Sequence, residues 1–148
     1  MPKIDLPYKT GCLEIDIEGG FYEPACRVPL PLPDIPGALE FSLNSPVSSP
    51  PLKDLIPGRG RISILVPDMT RGSAVRKVLS PLIDLIESYG VKRGRIEILV
   101  ANGTHRIETE QELTEHLDES VTRQFRIYQH RADDPERHIR VGDTPANS

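Results

Sequence analysis

Hydrophobic and polar positions recur with different periods along this chain, and the change of period divides it. Leu13, Ile15 and Ile17 alternate with Glu14, Asp16 and Glu18, a period of two that predicts one half-buried edge strand. From Val28 to Pro36 a proline stands at nearly every other position. Missing amides and fixed φ angles exclude a central strand or a helix there. Ser49 before Pro50 places a capping hydroxyl ahead of a residue that needs no amide partner, which predicts a short helix through Leu55.

From Arg61 the pattern turns to βαβα. Ile62, Ile64, Leu65 and Val66 form a nearly continuous apolar run, as expected of a strand buried on both faces. Val75, Val78, Leu79, Leu82, Leu85, Ile86 and Tyr89 share one helical face, with Gly90 as the stop. Pro81 deletes one backbone bond, so that helix is either kinked there or begins only at Ser80. The stretch Arg95 to Ala101 repeats the buried-strand pattern after a connection long enough for a helical crossover, which predicts a parallel pair. Thr109 with Glu112 three residues on is a capping box for a short helix through Leu113 and Leu117. Gln124 to Tyr128 reads as a third strand, and the polar tail from His130 to Ser148 is expected to fray. The fold class expected is therefore α/β with a mostly parallel sheet in residues 58–148, preceded by a Pro-rich extended segment, 1–57, packed on it.

Composition narrows the partners. At 148 residues there is room for one ordinary domain. A formal charge of -4 and a pI near 5.6 offer no overall basic field to a phosphate backbone, so nucleic acid is not an expected partner. The longest apolar runs, near Ile64 and Ile98, are too short to cross a bilayer, and neither end carries a signal peptide's apolar stretch. A cytoplasmic protein without membrane contact is the expectation. Cys12 and Cys26 fit no zinc spacing and are expected to be reduced packing residues. His116, His130 and His138 show no metal-ligand spacing, and His116 is expected on a helix face, so no metal ligand is assigned within this chain. Gly58-Arg59-Gly60-Arg61 precedes a strand instead of following one, which makes it a basic turn and not a phosphate loop.

Chemistry is expected where parallel strands end, because helix N-termini and loop amides converge there. The first core strand ends in Pro67-Asp68-Met69-Thr70-Arg71-Gly72 and the second in Asn102-Gly103-Thr104-His105-Arg106. Right-handed crossovers put both loops on one edge of the sheet, so Asp68, Thr70, Arg71, His105 and Arg106 could converge. A neutral imidazole can accept a proton from a substrate hydroxyl, and guanidinium forks bind carboxylates bidentately. Each residue also has a plainer reading: Asp-Thr after a strand is a common turn device, and a loop histidine is often only solvated.

Val66-Pro67-Asp68-Met69-Thr70-Arg71 and Leu99-Val100-Ala101-Asn102-Gly103-Thr104-His105-Arg106, with Thr109, Glu112 and Leu113 downstream, resemble the paired signatures of the lactate racemase family's N-terminal domain. Leu6-Pro7-Tyr8 and Ser49-Pro50-Pro51-Leu52 resemble its earlier segments. The resemblance implies a domain that, with a C-terminal domain, encloses a nickel-pincer nucleotide derived from nicotinic acid and inverts the hydroxyl-bearing carbon of a 2-hydroxy acid. It implies one acid/base histidine, His105, with Arg71 holding substrate or cofactor oxygens and Asp68 and Thr70 contacting the nucleotide. Arg106 matches the motif without an assigned role. Gly72 stands where the family commonly has a proline, and the family's second histidine, anchoring lysine and nickel-ligating histidine have no match. The chain alone is accordingly expected to be inactive and to retain no stoichiometric nickel. A non-catalytic nucleotide- or hydroxyacid-binding module and a truncated interaction domain are the competing readings.

Overall fold

Three parallel strands carry the two loops that hold the candidate site residues. In this computed structural model, which describes residues 3–20, 22, 29–71 and 74–142, the chain forms two compact units, Met1–Pro31 and Leu32–Ser148. In the second unit β3 (Ile62–Pro67), β4 (Ile96–Ala101) and β5 (Arg126–Gln129) pair in the order β3-β4-β5, all parallel. An α/β fold with a mostly parallel sheet is therefore what the chain adopts.

The first unit holds an antiparallel hairpin, β1 (Lys3–Tyr8) and β2 (Gly11–Asp16), where one strand was expected. Its register sets Ile4 opposite Ile15 and Leu6 opposite Leu13, so the apolar residues of both strands share one face. The alternation Ile4, Leu6, Tyr8 was a readable signal, masked by Pro7. Cys12 is exposed and not a packing residue. Cys26, Val28 and Gly72 lie outside the described residues.

The second unit opens with a helix the proline pattern concealed, α1 (Ile35–Asn44), which takes Ile35 and Pro36 out of the extended stretch. Asp34 accepts the Gly37 amide at 3.0 Å and Pro36 occupies the first turn, where its missing amide costs nothing. The next helix, α2 (Leu52–Leu55), forms as expected but without its predicted cap: Ser49 donates to the Pro50 carbonyl, and Pro51 takes the cap position.

Between β3 and β4 runs α3 (Val75–Ser88), which begins at Val75 and continues through Pro81. Pro81 deprives the Lys77 carbonyl of its partner, a cost of about 3 kcal/mol in a helix interior. Burial of Val75, Leu79, Ile83 and Ile86 offsets it, at roughly 1.5–3 kcal/mol per fully buried side chain. Gly90, at φ +85, ends the helix in the left-handed conformation that favours glycine. After β4 come α4 (Glu110–Leu117), opened by the complete Thr109/Glu112 capping box, and α5 (Glu119–Gln124), capped by Asp118 at φ +86. Gln124 thus closes a helix, and β5 starts later than predicted.

The strands are not buried on both faces. Ile64, Val66, Ile96, Ile98 and Val100 face the helices and are buried, while Leu65 on the opposite face is 66% exposed. Successive right-handed crossovers between neighbouring strands place their helices on the same side of the sheet, and α3 and α4 do pack on each other. The tail is held at its start, where the His130 amide continues the ladder onto the Val100 carbonyl at 2.9 Å, and it makes a 3-10 turn at Pro135–Arg137.

Candidate functional site

Parallel pairing of β3 and β4, with Pro67 beside Ala101, brings the two strand-end loops side by side. Asp68 follows β3 directly and is 3% exposed. A carboxylate buried that deeply needs donors, and it has three. The Thr70 hydroxyl donates to Oδ1 at 2.6 Å, the Thr70 amide donates to Oδ1 at 3.0 Å, and His105 Nδ1 sits 2.5 Å from Oδ2. The Thr70 hydroxyl first, and then His105, hold the Asp68 carboxyl below the usual carboxylate range. An ionised Asp68 only accepts, so His105 Nδ1 carries the proton and Nε2 of the neutral ring is the lone-pair nitrogen. Half of the His105 side chain, 49%, is open to solvent.

Asp68, Thr70 and His105 therefore converge by direct contact. The two arginines on the same loops behave differently. Arg71 ends the Met69–Arg71 turn, is exposed, and makes no side-chain hydrogen bond or ion pair among the described residues. Arg106 forks onto Glu112 at 2.8 and 2.6 Å and also donates to the Ile107 carbonyl. The Arg106 guanidinium beside it, and then the Thr109 amide, pull the Glu112 carboxyl down to about 2. In this structure Arg106 is thus engaged with the α4 cap.

Below the dyad lies a network that sequence reasoning missed. Glu108, 5% exposed, accepts the Met69 amide at 2.9 Å on Oε1 and meets His116 Nδ1 at 3.0 Å on Oε2. The Gln129 side chain clasps its backbone, accepting from the Glu108 amide at 2.6 Å and donating to its carbonyl at 2.8 Å. Glu108 thereby ties the loop after β3 to the loop after β4, and through His116 and Gln129 to α4 and β5. Burial of His116 had a signal: with Leu113 and Leu117 it keeps the i, i+3, i+4 spacing of an inward face. Glu108 had none, standing beside a cap where a solvated charge is ordinary.

Two cavities adjoin the dyad. An open cleft of about 580 Å³ is lined by Thr104, His105, Arg106, Ile107, Arg131, Ala132 and Asp133. A smaller one of about 70 Å³ lies between the loops, lined in part by Asp68, Thr70, Asn102 and His105. The Asn102 side-chain oxygen there is buried and has no hydrogen-bond partner among the described residues. Among the described residues no helix is long and apolar enough to cross a membrane.

The lactate racemase N-terminal domain family profile matches residues 27–148. The lactate racemase of Lactiplantibacillus plantarum is 30% identical over 99% of this chain and 35% of its own length. That of Thermoanaerobacterium thermosaccharolyticum is 28% identical with the same shares covered. The chain thus spans about a third of the length of the curated relatives it matches. The solved lactate racemase apoprotein from T. thermosaccharolyticum has the same fold, with a TM-score of 0.74 at 24% identity, covering 99% of this chain and 34% of that one. A family match over most of the chain, together with both strand-end signatures held side by side on one parallel sheet, means that this chain belongs to the lactate racemase N-terminal domain family.

Proposed function

We propose that this chain supplies one of the acid/base groups, His105, and part of the cofactor lining of a nickel-pincer-dependent 2-hydroxyacid racemase, working with a C-terminal domain. The observation that carries the proposal is the 2.5 Å contact from His105 Nδ1 to a buried, ionised Asp68. It fixes the tautomer, leaves Nε2 as the lone-pair nitrogen of a half-exposed ring, and sets a carboxylate beside the imidazolium formed when a substrate hydroxyl gives up its proton.

The hydrogen on the alpha carbon of a hydroxy acid is a poor acid, so inversion by hydride transfer avoids a carbanion. When bound, the nickel-pincer nucleotide supplies the hydride acceptor. His105 takes the hydroxyl proton and later returns it, while Asp68 holds the ring in place. Arg71, unengaged among the described residues, binds a carboxylate of the substrate or an anionic oxygen of the cofactor through its guanidinium fork. The orphaned Asn102 oxygen and the Thr70 hydroxyl suit a polar ligand entering the small cavity, and they would hold hydroxyl or amide groups of the nucleotide.

A chiral-product assay with lactate tests this, run on the chain alone and on a complete lactate racemase polypeptide containing it, both supplied with cofactor. Conversion only by the complete, loaded protein is expected. Racemisation by the 148 residues alone would overturn the need for a second domain, and inertness of the complete protein toward a panel of 2-hydroxy acids would overturn the racemase reading.

A further inference from the structure

His130 and His138 have no part in the dyad, yet their Nε2 atoms lie 3.1 Å apart, with ring centroids 5.2 Å apart and planes inclined at 71°. We propose that these two histidines form a binding site for a borderline divalent transition-metal ion, of the Zn²⁺ class, that clips the loop Arg131–Arg137 shut at the rim of the His105 cleft. This inference does not rest on the racemase reading.

The geometry carries it first. With zinc–imidazole bonds of ~2.0–2.1 Å, two nitrogens on one ion lie roughly 2.9 Å apart at a right angle and roughly 3.3 Å apart at the tetrahedral angle. The observed 3.1 Å falls between them. The tautomer is the second argument. His130 Nδ1 is 3.2 Å from the Gly103 carbonyl, which can only accept, so that nitrogen carries the proton and Nε2 presents a lone pair to His138. A carbonyl on the far nitrogen is also the orienting contact that metal-bound imidazoles use. The His130 lone pair faces His138 Nε2 at 3.1 Å, a separation that calls for either a proton donated by His138 or a cation held between the two nitrogens.

Both rings are held by the fold. The His130 backbone is anchored to β4 through the Val100 carbonyl, and the His138 amide closes the 3-10 turn onto the Pro135 carbonyl at 3.1 Å. Nearby cationic charge is offset, since Arg131 pairs with Asp133 and Arg137 with Asp134. Imidazole pairs favour Zn²⁺, Ni²⁺ and Cu²⁺ over harder ions. Among the described residues no third His, Cys, Asp or Glu joins them, so the remaining positions would go to water or another exogenous ligand. The consequence is local: Arg131, Ala132 and Asp133 form the wall that shares the cleft with His105, and the ion would stiffen that wall.

Calorimetric titration of Zn²⁺ into the metal-free chain near neutral pH tests the proposal. One equivalent should bind, His130→Gln and His138→Gln should each weaken it at least tenfold, and His105→Gln should leave it unchanged. Saturating Zn²⁺ should raise the thermal midpoint of the wild type and not of His138→Gln, an exposed position whose change leaves the core alone. Absence of stoichiometric binding, or binding indifferent to His138→Gln, would reduce the pair to an imidazole–imidazole hydrogen bond and overturn the site. Loss of binding in His105→Gln with retention in His138→Gln would overturn it as well, by moving the ion to the dyad.

Discussion

His105 and His116 each offer Nδ1 to a buried carboxylate, at 2.5 and 3.0 Å, but 49% of the first side chain is exposed against 6% of the second. The pairing chemistry is the same and the outcome differs at the other nitrogen. Nε2 of His105 belongs to a ring open to the cleft, whereas Nε2 of His116 is buried without a partner among the described residues. A histidine–carboxylate pair is thus insufficient by itself to propose a proton-transfer site; the two pairs are distinguished by access for a second molecule, which only the His105 ring has. The buried pair does a different task, holding the Met69 amide and so the turn that carries Asp68 and Thr70.

The comparison is tested most severely by His105→Asn in a complete, cofactor-loaded racemase. Turnover should fall by ~10²–10⁴, the range usual for losing a general acid–base group, with cofactor loading and thermal midpoint nearly unchanged. Full turnover with a lowered midpoint would make His105 a second His116. Glu108→Ala should show the converse. It orphans the Met69 amide and the His116 ring at roughly 1–3 kcal/mol each, so denaturant melts should give a loss of about 3 kcal/mol. If turnover per folded molecule fell as far as in His105→Asn, the division between site and scaffold would be wrong.

A smaller effect concerns the helix that carries His116. Thr109→Ala removes one half of the capping box and should cost about 1 kcal/mol by the same melts, with no change in turnover. The smallest is a pH dependence. The Glu112 carboxyl, pulled down to about 2 in the fold by Arg106 and Thr109, is ionised there below its unfolded range. Its contribution is therefore complete above the unfolded value near ~4.3 and is lost as pH falls toward about 2. The lowered Asp68 acts in the same direction. The midpoint should drop across that window in the wild type and drop less in Glu112→Gln, with the other lowered carboxyls, Asp68, Asp118, Glu87 and Asp133, accounting for the slope that remains.

Which parts of this were legible follows from how local each signal is. The parallel strands and the adjacency of their two terminal loops could be read because apolar runs and a crossover-length connection already imply where strand ends gather. The α4 capping box is a four-residue matter, and it forms as written. Helix α1 was also written locally, in Asp34, Pro36 and Gly37, but proline density hid it. Burial of the strands on both faces was misjudged because the side on which a crossover packs is a property of the whole topology. Glu108, Gln129 and the orphaned Asn102 oxygen lay beyond reach, since their partners are set by tertiary approach. So was the engagement of Arg106 with Glu112, six residues on, which leaves Arg71 as the guanidinium of the two loops without a side-chain partner among the described residues.

The clasp of Gln129 on Glu108 gives that position a vocabulary of almost one word. A primary carboxamide has an acceptor and a donor side by side, and here both are used by one residue's amide and carbonyl, so the side chain substitutes for a neighbouring strand. Glutamate of the same length would turn a charge toward the carbonyl, leucine would abandon both groups, and asparagine is a methylene short. A backbone rung delegated to a side chain is thus specified by amino-acid identity, where an ordinary rung of the same sheet tolerates nearly any residue with an amide.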